Sequence, residues 1–197
     1  YTKIKRSDLT SINRKFNFEN FQSFKGIKQG IENTNYLLRS KNKKFILTIF
    51  EKRVVKKEIP FFMKLMDQLS NLNINCPKPL KNNQGNYLIK VKNKISCVVT
   101  FLDGKDKKKL NLKNCFDIGK TIAQMHLSTK KLELYRKNSM GIKNLNPLLN
   151  SIKFKSKKFI NLEKFLKNNL QDIKDKWPKK LPQGIIHGDL FIDNIFF

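Results

Sequence analysis

The first hundred residues alternate between short apolar runs and polar turns, a pattern that predicts β-strands rather than long helices. Five runs predict strands, at residues 21–27, 35–39, 44–50, 87–91 and 95–102. Polar stretches predict tight turns at 41–43 and 92–94 and a longer loop at 28–34. Residues 58–72 differ, because their apolar positions recur every three to four residues. This spacing predicts a helix, with Pro60 in its first turn.

Beyond residue 103 the pattern changes from strand-like to helix-like. Helical periodicity predicts helices over 115–127 and 159–177, and Pro178 ends the second. The last residues, 185–197, predict a short strand, a polar loop and another short strand. The sum is an α+β architecture: a sheet-rich lobe with one helix, a short hinge, and a helical lobe.

The net charge of +27 does not by itself indicate a nucleic-acid-binding protein. Of the 42 basic residues only five are Arg, and Asn and Ile are abundant, a combination typical of AT-rich codon usage. The lysines are scattered, and exposed Arg is not interleaved with aromatic residues as single-strand binders require. A solvated surface is the favoured interpretation, and a basic, non-catalytic nucleic-acid-binding module is the alternative.

Hydropathy and cysteine usage predict a cytoplasmic protein. No apolar run is long enough to span a membrane, and the first residues lack the apolar core of a signal peptide. Cys76, Cys97 and Cys115 show no metal-ligand spacing, and the last two lie in apolar patterns. We therefore expect Cys97 and Cys115 to be reduced core residues, and we expect no membrane partner.

The most informative motif is His187-Gly188-Asp189, which is followed five residues later by Asn194. Phosphoryl transfer needs a carboxylate that orients the attacking hydroxyl and takes its proton, and a ligand for the metal that bridges the phosphates. A loop that turns Asp189 and Asn194 toward one cleft supplies both. Composition predicts only about 0.01 accidental H-x-D-x-x-x-x-N matches in this chain. The alternative is that Asp189 caps a turn that Asn194 closes.

Five strands, a hinge, helices and then this motif follow the order of the protein kinase fold. The chain resembles the aminoglycoside-phosphotransferase-like (choline kinase-like) small-molecule kinases, and within them the type II homoserine kinases of bacteria. The blocks that carry the resemblance are FKGIKQGIENTNYLL (24–38), KFILTIFEKR (44–53), PFFMKLMDQL (60–69), CPKPL (76–80), VVTFLDGK (98–105) and LPQGIIHGDLFIDNIFF (181–197). HGDLFxDN identifies the superfamily, and the first three blocks indicate the homoserine kinase branch.

The resemblance implies a fold, a reaction and two cofactors. The fold is two-lobed and protein-kinase-like, with a nucleotide-binding lobe (1–99), a hinge (100–105) and an incomplete helical lobe ending at the catalytic loop (106–197). The reaction is the phosphorylation of L-homoserine to O-phospho-L-homoserine by ATP with Mg²⁺, a step of threonine biosynthesis. Choline, an aminosugar or an aminoglycoside is the alternative acceptor, and specific nucleic-acid binding is not expected.

The resemblance also implies roles for individual residues. In the loop, Asp189 is the expected catalytic base, Asn194 a magnesium ligand, and His187 and Asp193 structural supports. Nucleotide contacts are expected from three segments: Gly30, Asn33, Thr34 and Asn35 before the second strand, Glu58 on the first helix, and Thr100, Phe101 and Leu102 in the hinge. The backbone N–H groups of the first segment would cradle phosphates, the Glu58 carboxylate would pair a phosphate-anchoring cation, and the hinge backbone would receive the adenine.

Two departures from the family pattern stand out. The third strand has Thr48 where a Lys or Arg that holds phosphates is expected, and Lys52 and Arg53 are either its replacement or surface charges. A second metal-binding Asp is expected on a strand after the catalytic loop, and the sequence ends before it. We therefore expect a C-terminally truncated fragment that is inactive on its own.

Overall fold

A computed structural model describes residues 2–19, 21–28, 32–51, 54–152 and 159–197 of the chain. The chain divides into two compact units. The sheet unit comprises Tyr1–Leu134 together with Gly184–Phe197, and the helical unit comprises Tyr135–Gln183. These boundaries differ from those of the predicted nucleotide-binding and helical lobes. The predicted lobes are defined by function, and that division stays a prediction.

The sheet unit contains one five-stranded antiparallel sheet. Its strands are β1 (Ser23–Ile27), β2 (Asn33–Arg39), β3 (Lys44–Phe50), β4 (Leu88–Val91) and β5 (Lys94–Thr100), arranged in the order β1-β2-β3-β5-β4. All five predicted strands are confirmed, with ends that differ by at most two residues. Lys92 and Asn93 both have positive φ, as the tight turn of a two-residue hairpin requires.

One face of the sheet is covered by a helix that the sequence pattern did not predict. In α1 (Arg6–Phe16), Leu9 and Ile12 are buried in one cluster with Leu38 and Leu47 of the central strands. The helix contains Ser, Thr and Asn, which favour helices only weakly, so packing on the sheet rather than propensity stabilises it. The prediction of a single helix before the hinge is therefore wrong.

The opposite face of the sheet is covered by α2 (Ile59–Asn71). Ile59 and Met63 of this helix are buried against Cys97 and Val99 of β5. The helix begins one residue after the predicted start, and Pro60 lies in its first turn as predicted. The predicted helix is thus confirmed. The strand residues that pack against α2 mark one face of the sheet, and those that pack against α1 mark the other.

The next helix, α3 (Leu112–Thr129), begins three residues before its predicted start. Asn111 caps it: Oδ1 of Asn111 accepts from the N–H of Asn114 at 2.9 Å, and Oδ1 of Asn114 accepts from the N–H of Asn111 at 3.4 Å. Cys115 therefore lies in the first turn and is exposed, so its prediction as a core residue is wrong. Cys97 is buried, as predicted.

The helical unit contains α4 (Ile142–Ser151) and α5 (Ile160–Asp175), which contact each other. The periodicity over 159–177 predicts α5 correctly. α4 was not predicted, because Pro147 lies inside it and a proline in an apolar pattern normally indicates a helix end. Among the described residues, no helix combines the length and the apolar character that a membrane span requires.

Residues 185–197 do not form the predicted strand, loop and strand. The segment is irregular apart from one 3₁₀ turn at Ile192–Asn194, and the described residues beyond β5 contain no strand. A strand needs a partner for its backbone groups, and Phe197 makes reciprocal backbone hydrogen bonds only to Lys105. The apolar runs on either side of the motif therefore do not indicate strands here.

Candidate active site

Asp189 and Asn194 are hydrogen-bonded to each other in the loop 187–194. Nδ2 of Asn194 donates to Oδ2 of Asp189 at 3.0 Å and to the carbonyl oxygen of Asp189 at 2.9 Å. The 3₁₀ turn at Ile192–Asn194 makes these contacts possible, because it folds the chain back over five residues. Both side chains are exposed. The structure therefore brings together the two residues that the motif singled out.

His187 and Gly188 shape the start of the same loop. Gly188 has a φ of 76°, in the left-handed region where a side chain is strained. The N–H of Asp189 donates to Nδ1 of His187 at 3.4 Å, so the imidazole contacts the loop backbone. This contact fits the supporting role expected for His187. Asp193 lies exposed within the 3₁₀ turn, and its role stays a prediction.

The three predicted adenine contacts lie at the end of β5 and just beyond it. Two hydrogen bonds join Thr100 to Lys78. The N–H of Thr100 donates to the carbonyl of Lys78 at 2.9 Å, and the N–H of Lys78 donates to Oγ1 of Thr100 at 2.9 Å. The N–H of Phe101 donates to the carbonyl of Lys44 at 3.2 Å. In the described part of the chain the backbone of Leu102 makes no hydrogen bond.

The predicted phosphate contacts Asn33, Thr34 and Asn35 lie in β2 and not in the loop before it. All three are paired with β3, and Oγ1 of Thr34 donates to Oε1 of Glu51 at 2.6 Å. Oδ1 of Asn35 accepts from Oγ1 of Thr48 at 2.9 Å. An extended strand does not form the concave run of N–H groups that binds a phosphate. The predicted loop thus ends two residues too late, and the phosphate contact expected at these three residues stays a prediction.

Other residues are candidates for phosphate binding: Gly30, Glu58, Lys52 and Arg53, together with Thr48 at the position where a cation is expected. Gly30, Lys52 and Arg53 lie outside the described residues. Glu58 lies in a 3₁₀ turn directly before α2, not on the helix, and its contact with a cation stays a prediction. Thr48 lies in β3 between Asn35 and Cys97, so the position where a cation is expected has neutral neighbours on both adjacent strands.

The structure adds a half-buried carboxylate that the sequence did not single out. Glu51, directly after β3, accepts hydrogen bonds from the N–H of Thr2 at 3.1 Å, from Oγ1 of Thr2 at 2.7 Å and from Oγ1 of Thr34, and Nζ of Lys94 donates to its second oxygen. These contacts, with that to Lys94 the largest, lower the pKa of Glu51 to about 2. We name Thr2, Thr34, Glu51 and Lys94 the Glu51 cluster. It ties the N-terminal segment to three strands.

A sequence model of the phosphotransferase enzyme family (APH) matches residues 23–197. The chain belongs to this family. Among solved structures, the fold of this family member is similar to that of a spectinomycin phosphotransferase in complex with ADP and spectinomycin. The TM-score is 0.65 at 11% identity, over 100% of this chain and 66% of that one. The similarity confirms the predicted kinase-like α+β fold of the aminoglycoside phosphotransferases.

Curated relatives of this family member are named homoserine kinase. The protein from Rhodopseudomonas palustris (strain TIE-1) is 34% identical over 199 aligned residues, which cover 100% of this chain and 61% of the relative. The protein from Bradyrhizobium diazoefficiens is 35% identical, with the same coverage. The chain thus spans 61% of the length of these relatives.

The oxygen-bearing residues of the loop 187–194 suit a hard cation such as Mg²⁺. Asp189, Asp193 and Asn194 place carboxylate and amide oxygens within six residues of chain, and Mg²⁺ prefers oxygen ligands. Both hydrogen bonds of the Asn194 side chain use Nδ2, which leaves Oδ1 to contact a cation. The described residues contain no group of three or more His, Cys, Asp or Glu that could hold a metal ion. The loop therefore fits a cation shared with substrate phosphates better than a closed protein site.

Proposed function

We propose that this phosphotransferase is a homoserine kinase, which transfers the γ-phosphate of ATP to the hydroxyl of L-homoserine. The observation that carries the proposal is the Asp189–Asn194 pair in a chain that is 34–35% identical, over its whole length, to proteins named homoserine kinase. The ADP in the related spectinomycin phosphotransferase supports the nucleotide. The activity is assigned to the protein expressed from its complete reading frame.

Asp189 is the proposed catalytic base. Its Oδ2 accepts a hydrogen bond from Asn194, which orients the carboxylate and leaves Oδ1 for the substrate hydroxyl. As the bond from that hydroxyl oxygen to the γ-phosphorus forms, the bond from the γ-phosphorus to the bridging oxygen of ADP breaks, and Asp189 takes the hydroxyl proton. The products are ADP and O-phospho-L-homoserine.

Asn194 is the proposed magnesium ligand, through Oδ1. When bound, Mg²⁺ neutralises the negative charge of the phosphates. Asn is a neutral ligand, so it holds the cation without adding a negative charge beside them. Leu102 is the proposed adenine contact, since its peptide groups are unpaired among the described residues. An enzyme that consumes ATP for amino-acid synthesis works where ATP is made available, so we propose that it acts in the cytoplasm.

The proposal is tested by an acceptor panel. We expect the protein from the complete reading frame to release ADP far faster with L-homoserine than with choline or kanamycin, in a coupled assay at saturating ATP and Mg²⁺. Equal or faster release with choline or kanamycin would contradict homoserine as the acceptor and leave a small-molecule kinase. No ADP release with any acceptor would contradict the kinase assignment and favour the nucleic-acid-binding alternative.

The role of Asp189 is tested in the same assay. Asp189→Asn removes the base and keeps its shape, so turnover should fall at least about 100-fold with little change in melting temperature. The matched control is Asp172→Asn, the same substitution at an exposed carboxylate of α5 that pairs with Lys176. Near-normal turnover of Asp189→Asn would remove Asp189 from the mechanism.

A further inference from the structure

The last residues of the predicted hinge, just after the expected adenine contacts, run beside the end of the catalytic loop. The N–H of Lys105 donates to the carbonyl of Phe197, and the N–H of Phe197 donates to the carbonyl of Lys105, both at 3.0 Å. This reciprocal exchange is the hydrogen-bonded pair of an antiparallel ladder, formed here between two irregular segments. It joins the residues that follow Leu102 to the residues that follow Asn194.

Gly104 lies at the closest approach of these two segments. A Cβ built on Gly104 would lie 3.0 Å from Cβ of Phe196 and 3.4 Å from the carbonyl oxygen of Phe197. The position of a Cβ is fixed by its own backbone, so no side-chain rotation relieves the first contact. A side chain at residue 104 therefore requires the two segments to shift by a few tenths of an ångström. Gly119 and Gly184 differ, because an added Cβ there meets nothing within 4 Å.

Lys107 adds a side-chain tie to the same place. Its ammonium lies 4.5 Å from the centroid of the Phe197 ring, and its Nζ also donates to Oδ1 of Asn114 at 3.3 Å. Asn114 is buried and belongs to the N-terminal cap of α3. The end of the catalytic loop is thus held against residues 105–107 by two backbone hydrogen bonds and one cation–π contact.

We propose that Gly104 and Lys105 form a docking strip that positions the catalytic loop relative to the expected adenine contacts at residues 100–102. The inference rests on the proposed function, because it assigns adenine to the backbone around Leu102 and the proton and metal chemistry to Asp189 and Asn194. The strip lies two residues after Leu102, and its partner Phe197 lies three residues after Asn194. A displacement at the strip therefore changes the distance between adenine and the reacting atoms, while each binding segment keeps its own local structure.

The test is Gly104→Ala in the protein from the complete reading frame. Misplacing catalytic groups by about 1 Å can cost about 100-fold in rate, and the smaller shift expected here should lower kcat about tenfold. The Kd for ATP, measured by calorimetry without acceptor, should stay within about twofold, because the expected adenine contacts at residues 100–102 are unchanged. The matched controls are Gly119→Ala and Gly184→Ala, which should keep the wild-type kcat.

A second readout does not depend on activity. Hydrogen exchange at the amides of Lys105 and Phe197 should be faster in Gly104→Ala than in the wild type and unchanged in both controls. Wild-type kcat or wild-type protection of these amides in a folded Gly104→Ala protein would overturn the inference. If Gly104→Ala does not fold, Lys107→Met takes its place. It should lower kcat and speed hydrogen exchange at the Phe197 amide, and wild-type values of both would overturn the inference. A wild-type protein that releases no ADP contradicts the proposed function instead, and the exchange readout still decides whether the strip is docked.

Discussion

Removing the charge of Glu51 should destabilise the fold strongly and in a pH-dependent way. The Glu51 side chain is 17% exposed, and it accepts hydrogen bonds from Thr2, Thr34 and Lys94, which belong to three separate parts of the sheet unit. Glu51→Gln keeps the size and one acceptor oxygen and removes the negative charge. The ammonium of Lys94 would then face an uncharged amide in a half-buried position, which costs more than the loss of one hydrogen bond.

The magnitude follows from the pKa of Glu51, which falls from 4.5 to about 2 on folding. A pKa lowered by this much means that the folded state favours the ionised form by about 3 kcal/mol. Because the folded pKa is the lower one, this stabilisation is fully present above about pH 5. It is lost as the pH falls toward 2. We expect Glu51→Gln to lower the free energy of unfolding by about 2–3 kcal/mol at pH 7 and by much less at pH 2.5.

Urea unfolding followed by circular dichroism measures this difference at several pH values. The control is Asp103→Asn, which breaks the 3.0 Å ion pair with Lys44 at a carboxylate that is 85% exposed. That pair should contribute less than about 1 kcal/mol, and the control should show little dependence on pH. A Glu51→Gln effect below about 1 kcal/mol at pH 7, or one that does not shrink in acid, would refute the account of the cluster.

Two further predictions concern the core. In thiol labelling at pH 8, Cys115 should react rapidly because it is exposed, whereas Cys97 should react only after unfolding, because burial raises its pKa to about 12. The variant Cys115→Ser separates the two signals. Equal labelling rates at Cys97 and Cys115 would contradict the burial of Cys97. Leu47→Ala should lower the free energy of unfolding by about 2–5 kcal/mol, because Leu47 has no exposed surface. The control is Leu112→Ala, at a side chain that is 90% exposed, and it should change the free energy of unfolding by less than about 0.5 kcal/mol. A small effect of Leu47→Ala in urea unfolding would mean that the core around it is loosely packed.

The sheet was predictable from the sequence because its signals are local. The run KFILTIF alternates between two faces that α1 and α2 cover, and in β3 the buried residues fall at every second position. The turn at Lys92 and Asn93 likewise has its signal within two residues. α1 was missed for the opposite reason. Its buried residues are only Leu9 and Ile12, and what stabilises it is a sheet surface made by residues far along the chain.

In the candidate active site too, the contacts that the sequence predicts are local and the contacts that it misses are not. Asp189 and Asn194 lie five residues apart, so the motif contains both and a single turn joins them. The pairs Lys105–Phe197 and Glu51–Lys94 join distant segments, and neither has a local signal. One signal could have found the second pair. Once β3 and β5 are aligned with Ile49 opposite Ser96, extending the antiparallel register by two residues places Glu51 opposite Lys94.

The loop predicted at 28–34 extends two residues into β2 because Asn and Thr favour both turns and strand ends. The polar run Asn33-Thr34-Asn35 indicates a loop, but it forms the start of β2. Its side chains make hydrogen bonds to Glu51 and Thr48. The carboxylate of Glu51 already holds the ammonium of Lys94, so that cation is committed to the α1 face of the sheet. On the α2 face, Thr48 has only Asn35 and Cys97 beside it in the neighbouring strands. In a phosphotransferase with this sheet, the positive charge that holds the phosphates therefore has to come from outside the middle of β3.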